Sequence, residues 1–539
     1  MLHAGTIGNV LGYDIRALTI ANVLRSKAES LGDRHFLRYI PDGRAYSYAD
    51  IDLESNRIAH GLLEAGVTSG AHVAVMMRNT PELLLLYFAL GKIGAVAVQI
   101  HVAARGAQLR HLLTSAHCEW LAVEAGLLAE VRGVVEDIAE LRTWIVLGDE
   151  SRSKRSSKRL LPFETLLSEN NAQPNLPVRF SDPAFICYTS GTTGPSKGVV
   201  FSQARALLGA IGLAAAHGYC DTDVIYVCLP MFHMSGMQAG IYLALVTNAS
   251  VELTAGFSAS TFWESVRSAQ ATTTGLLGSM TAVLWSRPPS PNDSAHSLRL
   301  CLTQPIPTYA REFERRFRMR FVSSYGLTDF GSPTAYTLVD PPSKLGSTGR
   351  LRSGWDLRIV DEDDFDVPCG SVGEIALRCN IVEGASAGYY GMPAETLMAF
   401  RNGWFHTGDR GRLDADGYLW FVDRLKDSVR RRGENISAFE VEQCLLGHPA
   451  VAEAAVFGVR ADMAEEEIAA VVVLRTEQRL SEADIARYCE GRIARFMVPR
   501  FIRIANELPR TASQKIEKFR LRQFAERSID SYWDRERNR

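Results

Sequence analysis

The stretch "YTSGTTGPSKG" occupies Tyr188 to Gly198. It crowds Gly191, Gly194 and Gly198, the hydroxyls of Thr189, Ser190, Thr192 and Thr193, and Lys197 into one short run. Glycines let main-chain N–H groups approach an anion closely, hydroxyls add donors, and a lysine adds charge, so the composition points to phosphate. It is not a Walker loop. That loop reads G-x-x-x-x-G-K followed by Ser or Thr, whereas here Gly191, Gly194 and Lys197 are evenly spaced and Gly198 follows the lysine. The flanks differ as well. "AFICY" before it and "GVVFS" after it both read as strands, which makes this a strand–loop–strand device rather than a strand–loop–helix one.

Outward from this loop, strand and helix signals alternate. Ser47 followed by Asp50 caps a predicted helix with Ile51, Ile58 and Leu62 on one face. "HVAVMM" is a predicted strand, Thr80-Pro81-Glu82 starts the next helix with proline in its first turn, Gly94 ends it, and "AVAVQI" is a buried strand. Lys92 and the glycines beside it argue against a membrane span in "LLLLYFALGKIGAVAVQI" and for a buried helix followed by a buried strand. The rhythm predicts α/β layering in a large N-terminal domain, residues 1–425, of several subdomains. From Asp361 to Tyr418 the glycines, acidic residues and short apolar runs predict strands and turns. Beyond "YLWFV" a compact α+β unit is predicted at 426–539. It has a helix capped by Ser437 and Glu440 and ending at Gly447-His448-Pro449, strands "VAEAAVFGV" and "EIAAVVVL", a helix capped by Ser481, and strand "FIRI".

The bulk composition excludes more than it assigns. The chain has 539 residues, 46% hydrophobic and 22% charged, with a net charge of −2, so nothing favours nucleic acid or an anionic membrane as partner. The basic run "SRSKRSSKR" reads as a solvated loop. The nine cysteines form no Cys-x-x-Cys pair and no zinc spacing, which predicts buried free thiols in a reducing compartment and a cytoplasmic location. No signal-peptide pattern opens the sequence, and "DRERNR" carries no peroxisomal or lipidation signal.

Further stretches bear chemistry: "LPMFHMSG" with His233, "SSYGLTDFGS" with Tyr325, Gly326, Thr328 and Asp329, "WFHTGDRG" with Asp409, "DRLKDSVRRRGENIS" with Arg424, and "LPRTASQKIEKFRLR" with Lys515. Taken singly, each has an ordinary structural reading as a turn, a cap or a surface charge. Together they supply phosphate donors, a face for adenine, acceptors for ribose hydroxyls, a hard carboxylate for magnesium, and positive charge.

In order and spacing these stretches resemble the adenylate-forming superfamily of acyl-CoA synthetases, amino-acid adenylating domains and beetle luciferases. The resemblance spans essentially the whole chain. "WFHTGD", "FVDRLKD", "RRGENISAFEVE" and "LPRTASQKI" look most like CoA ligases of the crotonobetaine/carnitine type. The resemblance implies a two-step reaction. A carboxylate attacks the α-phosphate of ATP to give an acyl-adenylate and pyrophosphate, and the thiol of CoA then displaces AMP. It further implies that Thr189, Ser190, Gly191, Thr192, Thr193, Gly194 and Lys197 cradle phosphates. Gln304, Tyr325 and Gly326 would meet adenine, and Thr328 the α-phosphate. Asp409 and Arg424 would take the ribose, and Thr189 and Asp329 Mg2+. Lys515 would bridge carboxylate and adenylate in a mobile C-terminal domain hinged at Lys426. Gly433 and Glu434 would line the CoA tunnel, with His233 at the gate to an acyl pocket near Gln238, Gly278 and Ser323.

Three positions depart from the family pattern. Asp329 stands for a glutamate, Gln514 for the glycine before the catalytic lysine, and "LTQPIP" at Leu302–Pro307 for smaller residues beside adenine. The sequence leaves other readings open: an acyl-AMP ligase loading a carrier protein, an amino-acid adenylating enzyme, or a non-catalytic nucleotide-binding relative. "FHMSGMQAG" offers no carboxylate for an amino-acid substrate. The acyl group is not legible, nor is the oligomeric state, for which a homodimer is one form left open.

Overall fold

The computed structural model describes residues 9–10, 12–149, 156–189, 196–424, 428–431, 434–460, 466–490, 492–493, 495–510 and 516–537. The chain divides into two compact units, residues 1–356 with 378–405 and residues 357–377 with 406–539.

The first unit holds two seven-stranded sheets. One runs, in spatial order, Lys197–Ser202, Pro183–Thr189, Val96–Gln99, His72–Met76, Trp120–Glu124, Thr143–Leu147 and Arg159–Pro162. All its neighbours are parallel except the first pair. The other runs Arg320–Val322, Leu300–Gln304, Thr273–Leu277, Val224–Val227, Ser250–Leu253, His35–Tyr39 and Ala45–Ser47, parallel up to a closing hairpin. Residues of both sheets share one hydrophobic core with the helices Tyr48–Ala65, Pro81–Ile93 and Gln203–His217. This is the expected α/β layering: near-continuous apolar strands are covered by helices.

Local sequence sets these elements. Ser47 and Asp50 form the expected capping box of Tyr48–Ala65. Thr80 caps Pro81–Ile93, Pro81 takes its first position, and Gly94 closes it with a left-handed φ of 70°. That helix is buried on every side except at Glu82, which explains its continuous apolar run. Lys92 therefore lies inside the protein at 1% exposure. Its Nζ donates to Asp52 Oδ1 and Asn56 Oδ1, both at 2.6 Å, and burial pushes its pKa down to about 8.

The second unit contains a four-stranded sheet of Val451–Arg460, Glu466–Leu474, Phe501–Ala505 and Trp533–Asp534. Helices Ala438–Leu446, Glu482–Cys489 and Lys518–Ser528 pack on it. Ser481 and Asp484 form a capping box. The side chains of Ser437 and Glu440 lie outside the described ones.

Two expectations need correction. The stretch read as strands and turns also holds a short helix, Pro393–Ala399, started by its proline. The cysteines are all free, but Cys220 and Cys369 are exposed rather than buried. Among the described residues, no helix is long and apolar enough to cross a membrane.

Candidate active site

The hairpin of Pro183–Thr189 and Lys197–Ser202 sets the two flanks of the glycine-rich loop opposite each other, with Thr189 the register partner of Lys197. The two strands expected on either side of it are thus present, while Ser190, Gly191, Thr192, Thr193 and Gly194 lie outside the described residues. A further segment runs along the hairpin. Tyr390 N donates to Gly198 O at 2.7 Å and Val200 N to Gly388 O at 3.2 Å, and Val199 bridges Tyr389.

This pairing delivers a residue that the sequence reading missed. Lys197 Nζ lies 4.5 Å from the centroid of the Tyr389 ring, and the Tyr389 hydroxyl donates to Asp329 Oδ2 at 2.6 Å. Burial, reinforced by the Asp329 charge, raises the phenol pKa and keeps its proton in place. The signal available in the sequence was a tyrosine pair between glycines in "AGYYGMPAET", which on its own reads as a turn.

Asp329 sits in a tight turn. Leu327 N donates to Gly331 O, and Phe330 N and Gly331 N return to Leu327 O, all within 3.2 Å. Phe330 anchors the turn by stacking on Phe405 with centroids 4.6 Å apart. On the preceding arm Tyr325 is buried at 6% exposure, and a Cβ at Gly326 would meet Ser332 Oγ at 2.4 Å. The carbonyl of Thr328 accepts from Arg205 Nη2 at 2.7 Å. Arg205 belongs to the helix Gln203–His217 and is 3% exposed, and its guanidinium lies 3.9 Å from the Phe201 centroid. Burial lowers its pKa to about 10, and Nη1 is buried without a hydrogen-bond partner among the described residues. Arg205 was also missed, because a lone arginine in a helical run carries no motif.

His233 caps the short helix Met234–Gly236. Ser235 N donates to its Nδ1 at 3.1 Å, so the neutral ring carries its proton on Nε2. A π-helical turn, Met237–Tyr242, follows. In it Gln238 Nε2 donates to the carbonyls of Arg205 and Ala206, both at 3.1 Å, and Gly209 makes room, since a Cβ there would lie 2.4 Å from the amide. Ser323 turns its hydroxyl onto Thr303 O at 2.8 Å. Gly278 opens the helix Gly278–Trp285, facing Pro305. Gln304 is exposed at the end of its strand.

In the second unit, Asp409 and Arg424 are register partners on antiparallel strands Trp404–Leu413 and Leu419–Arg424, with Nε to Oδ1 3.2 Å. Asp409 is 3% exposed, and Thr407 Oγ1 accepts from its N–H at 3.1 Å. Gly408, the residue before it in the strand, has a left-handed φ of 68° and its N–H donates to Glu374 Oε1 at 2.9 Å. Glu434 begins the strand Glu434–Ser437, its side chain undescribed. Lys426, Gly433, Gln514 and Lys515 lie outside the described residues. No group of three or more His, Cys, Asp or Glu that could hold a metal occurs among the described residues.

The AMP-binding enzyme model matches residues 24–390, and the AMP-binding enzyme C-terminal domain model matches residues 440–515. A crotonobetaine/carnitine–CoA ligase of Salmonella typhi is 32% identical over 489 residues, covering 89% of this chain and 93% of that one. Among solved structures, the anthranilate CoA ligase AuaEII in complex with anthranoyl-AMP superposes with a TM-score of 0.85 at 25% identity, over 95% of this chain and 98% of that one. ATP-bound MatB from Rhodopseudomonas palustris gives 0.82 at 25% identity, over 94% and 99%. By the extent of these matches, the chain belongs to the AMP-binding enzyme family.

Proposed function

We propose that the protein is an ATP-dependent carboxylate–CoA ligase of the AMP-forming type, making an acyl-adenylate from ATP and a small-molecule carboxylic acid and then an acyl-CoA thioester. The observation that carries this reading is the convergence of Lys197, at the end of the glycine-rich loop, and Asp329 on the single side chain of Tyr389. A cation and a carboxylate that share one tyrosine, the cation being the lysine of the glycine-rich stretch, support the reading of this stretch as the holder of a triphosphate.

The first step brings two anions together, so its barrier is largely electrostatic and the protein must screen charge and hold the groups in line. Lys197 and the Thr189 arm take the outgoing phosphates, Thr328 the α-phosphate, and Tyr325 the adenine. Asp409 accepts from the ribose hydroxyls, and Arg424, paired with it, fixes its orientation. Lys515 draws the carboxylate to the α-phosphate.

Asp329 fits a magnesium ion shared with the nucleotide. It enters no ion pair with a described residue and has one side-chain donor, Tyr389, and magnesium takes one or two carboxylates plus substrate phosphates rather than an all-protein cage. Asp329 and Thr189 would hold it, and magnesium would there neutralise phosphate charge. In the second step the thiol of CoA displaces AMP, with Gly433 and Glu434 beside the pantetheine and His233 at the gate. CoA rather than a carrier protein is favoured by the relatives, which are CoA ligases by name.

A screen of carboxylic acids with ATP and CoA tests this reading. Acid-dependent pyrophosphate release together with acyl-CoA formation is expected. Pyrophosphate release without acyl-CoA at any acid would move the acceptor to a carrier protein, and no release with any acid would remove the ligase reading.

A further inference from the structure

We propose that Tyr389 is a positioning residue: its hydroxyl aims the Asp329 carboxylate while its ring seats the Lys197 ammonium, so that these opposite charges stay apart and ready for the metal–nucleotide complex. The proposal rests on the carboxylate–CoA ligase reading.

Lys197 and Asp329 both touch Tyr389, yet neither forms an ion pair with any described residue. A lysine and a carboxylate brought this near would ordinarily pair, and the pair would have to be broken before phosphate and metal could enter. Tyr389 interposes two different surfaces. The π face attracts an ammonium less strongly than a carboxylate does, so Lys197 leaves it readily for an incoming phosphate. The hydroxyl donates to Oδ2 alone, and Oδ1 takes no hydrogen bond among the described residues. A single donor on one oxygen orients a metal-binding carboxylate without saturating it.

The main chain of Tyr389 is held independently of its side chain. Its bridge to Val199 and the Tyr390 N–H to Gly198 O bond survive substitution. The Asp329 turn is fixed by its own bonds to Leu327 and by Phe330 on Phe405. Removing the hydroxyl therefore releases the carboxylate's orientation and leaves the backbone in place.

The test is ATP binding by calorimetry at a series of free Mg2+ concentrations, for the wild-type chain, Tyr389→Phe and Tyr389→Leu, with thermal melts alongside. Tyr389→Phe should move the Mg2+ midpoint upward about tenfold, regain wild-type ATP affinity at saturating Mg2+, and melt like the wild type. Tyr389→Leu, lacking the ring as well, should bind ATP more weakly even at saturating Mg2+, because Lys197 then closes on Asp329. An unshifted midpoint in Tyr389→Phe overturns the proposal. So does a loss of affinity that is equal at every Mg2+ concentration and accompanied by a lower melting point, the mark of a merely structural tyrosine. A wild-type chain that binds no ATP at any Mg2+ concentration overturns the ligase reading and the proposal with it. Normal wild-type binding with an unchanged Tyr389→Phe overturns the proposal alone.

Discussion

Arg205 is tied to the main chain of Thr328 through Nη2 at 2.7 Å, so a buried guanidinium fixes the residue next to Asp329 from beneath. Replacing it by methionine keeps the volume and removes the donor. The Thr328 carbonyl then loses its partner, at a cost of about 1–3 kcal/mol, partly offset because a desolvated charge is also removed. Arg205→Met should stay folded in urea titrations while ATP–pyrophosphate exchange falls about tenfold, the usual scale for a support behind a metal ligand, the role proposed for Asp329. Arg205→Lys should not restore it, since a compact ammonium cannot both lie on the Phe201 ring as the planar guanidinium does and reach the Thr328 carbonyl. Wild-type exchange in the folded methionine variant would remove Arg205 from the site.

Lys92 and Asp52 make a second prediction, about stability. The ammonium is buried and held at 2.6 Å by Asp52 and by Asn56. Lys92→Met strands the Asp52 carboxylate in the core, which should cost about 3–5 kcal/mol. Replacing Asp52 by leucine in the same chain should recover much of that loss, because two apolar groups leave nothing uncompensated. Chemical denaturation of the two single variants and the double variant checks it. Additive losses would mean that the pair is not coupled.

Stability should also fall on mild acidification through His217. This residue is 2% exposed, with Nε2 3.2 Å from Ser324 Oγ and Nδ1 lacking a partner among the described residues. Burial, then the nearby Arg352 charge, lowers its pKa from 6.5 to about 3. The folded form thus stays neutral where the unfolded chain takes up a proton. The contribution is complete above the unfolded pKa and is lost as pH falls from 6.5 towards about 3, by up to ~1.4 kcal/mol per pH unit. His217→Asn should flatten this slope between pH 6.5 and 5 in urea unfolding. An unchanged slope would show that His217 is not the group responsible.

The fold was legible where one local signal dominates. Ser47 with Asp50, Thr80 with Pro81, and Ser481 each announce a helix start by chemistry confined to one turn. The hairpin around the glycine-rich loop was legible because both arms are apolar runs. The site was legible only as motifs. Tyr389 reaches Asp329 across 60 positions because the Gly388–Tyr390 segment pairs with the Lys197–Ser202 strand, a tertiary event with no periodicity to betray it. Arg205 was hidden for the same reason, 123 positions from Thr328 in the chain. The exposed Cys220 and Cys369 escaped because thiol composition says nothing of which loop carries them.

The last prediction separates the two chemical steps. Lys515 stands in "ASQKI" before the helix Lys518–Ser528, and its role is inferred from the resemblance of that stretch to the lysine serving adenylation. An ammonium there lowers the repulsion between the acid and the α-phosphate, a service needed only while both are anions meeting. Once the mixed anhydride exists, the thiol attacks a neutral carbonyl and AMP departs, so the same charge contributes little. Lys515→Ala should therefore depress acid-dependent ATP–pyrophosphate exchange by orders of magnitude, yet convert supplied acyl-AMP and CoA to thioester at close to the wild-type rate. Lys515→Arg should recover little, since the bulkier guanidinium places its charge differently. Gln514→Gly tests whether the side chain before the lysine restrains it: faster exchange with unchanged thioester formation is expected. Equal loss in both half-reactions for Lys515→Ala, in a variant that melts like the wild type, would overturn the assignment of this lysine to adenylation.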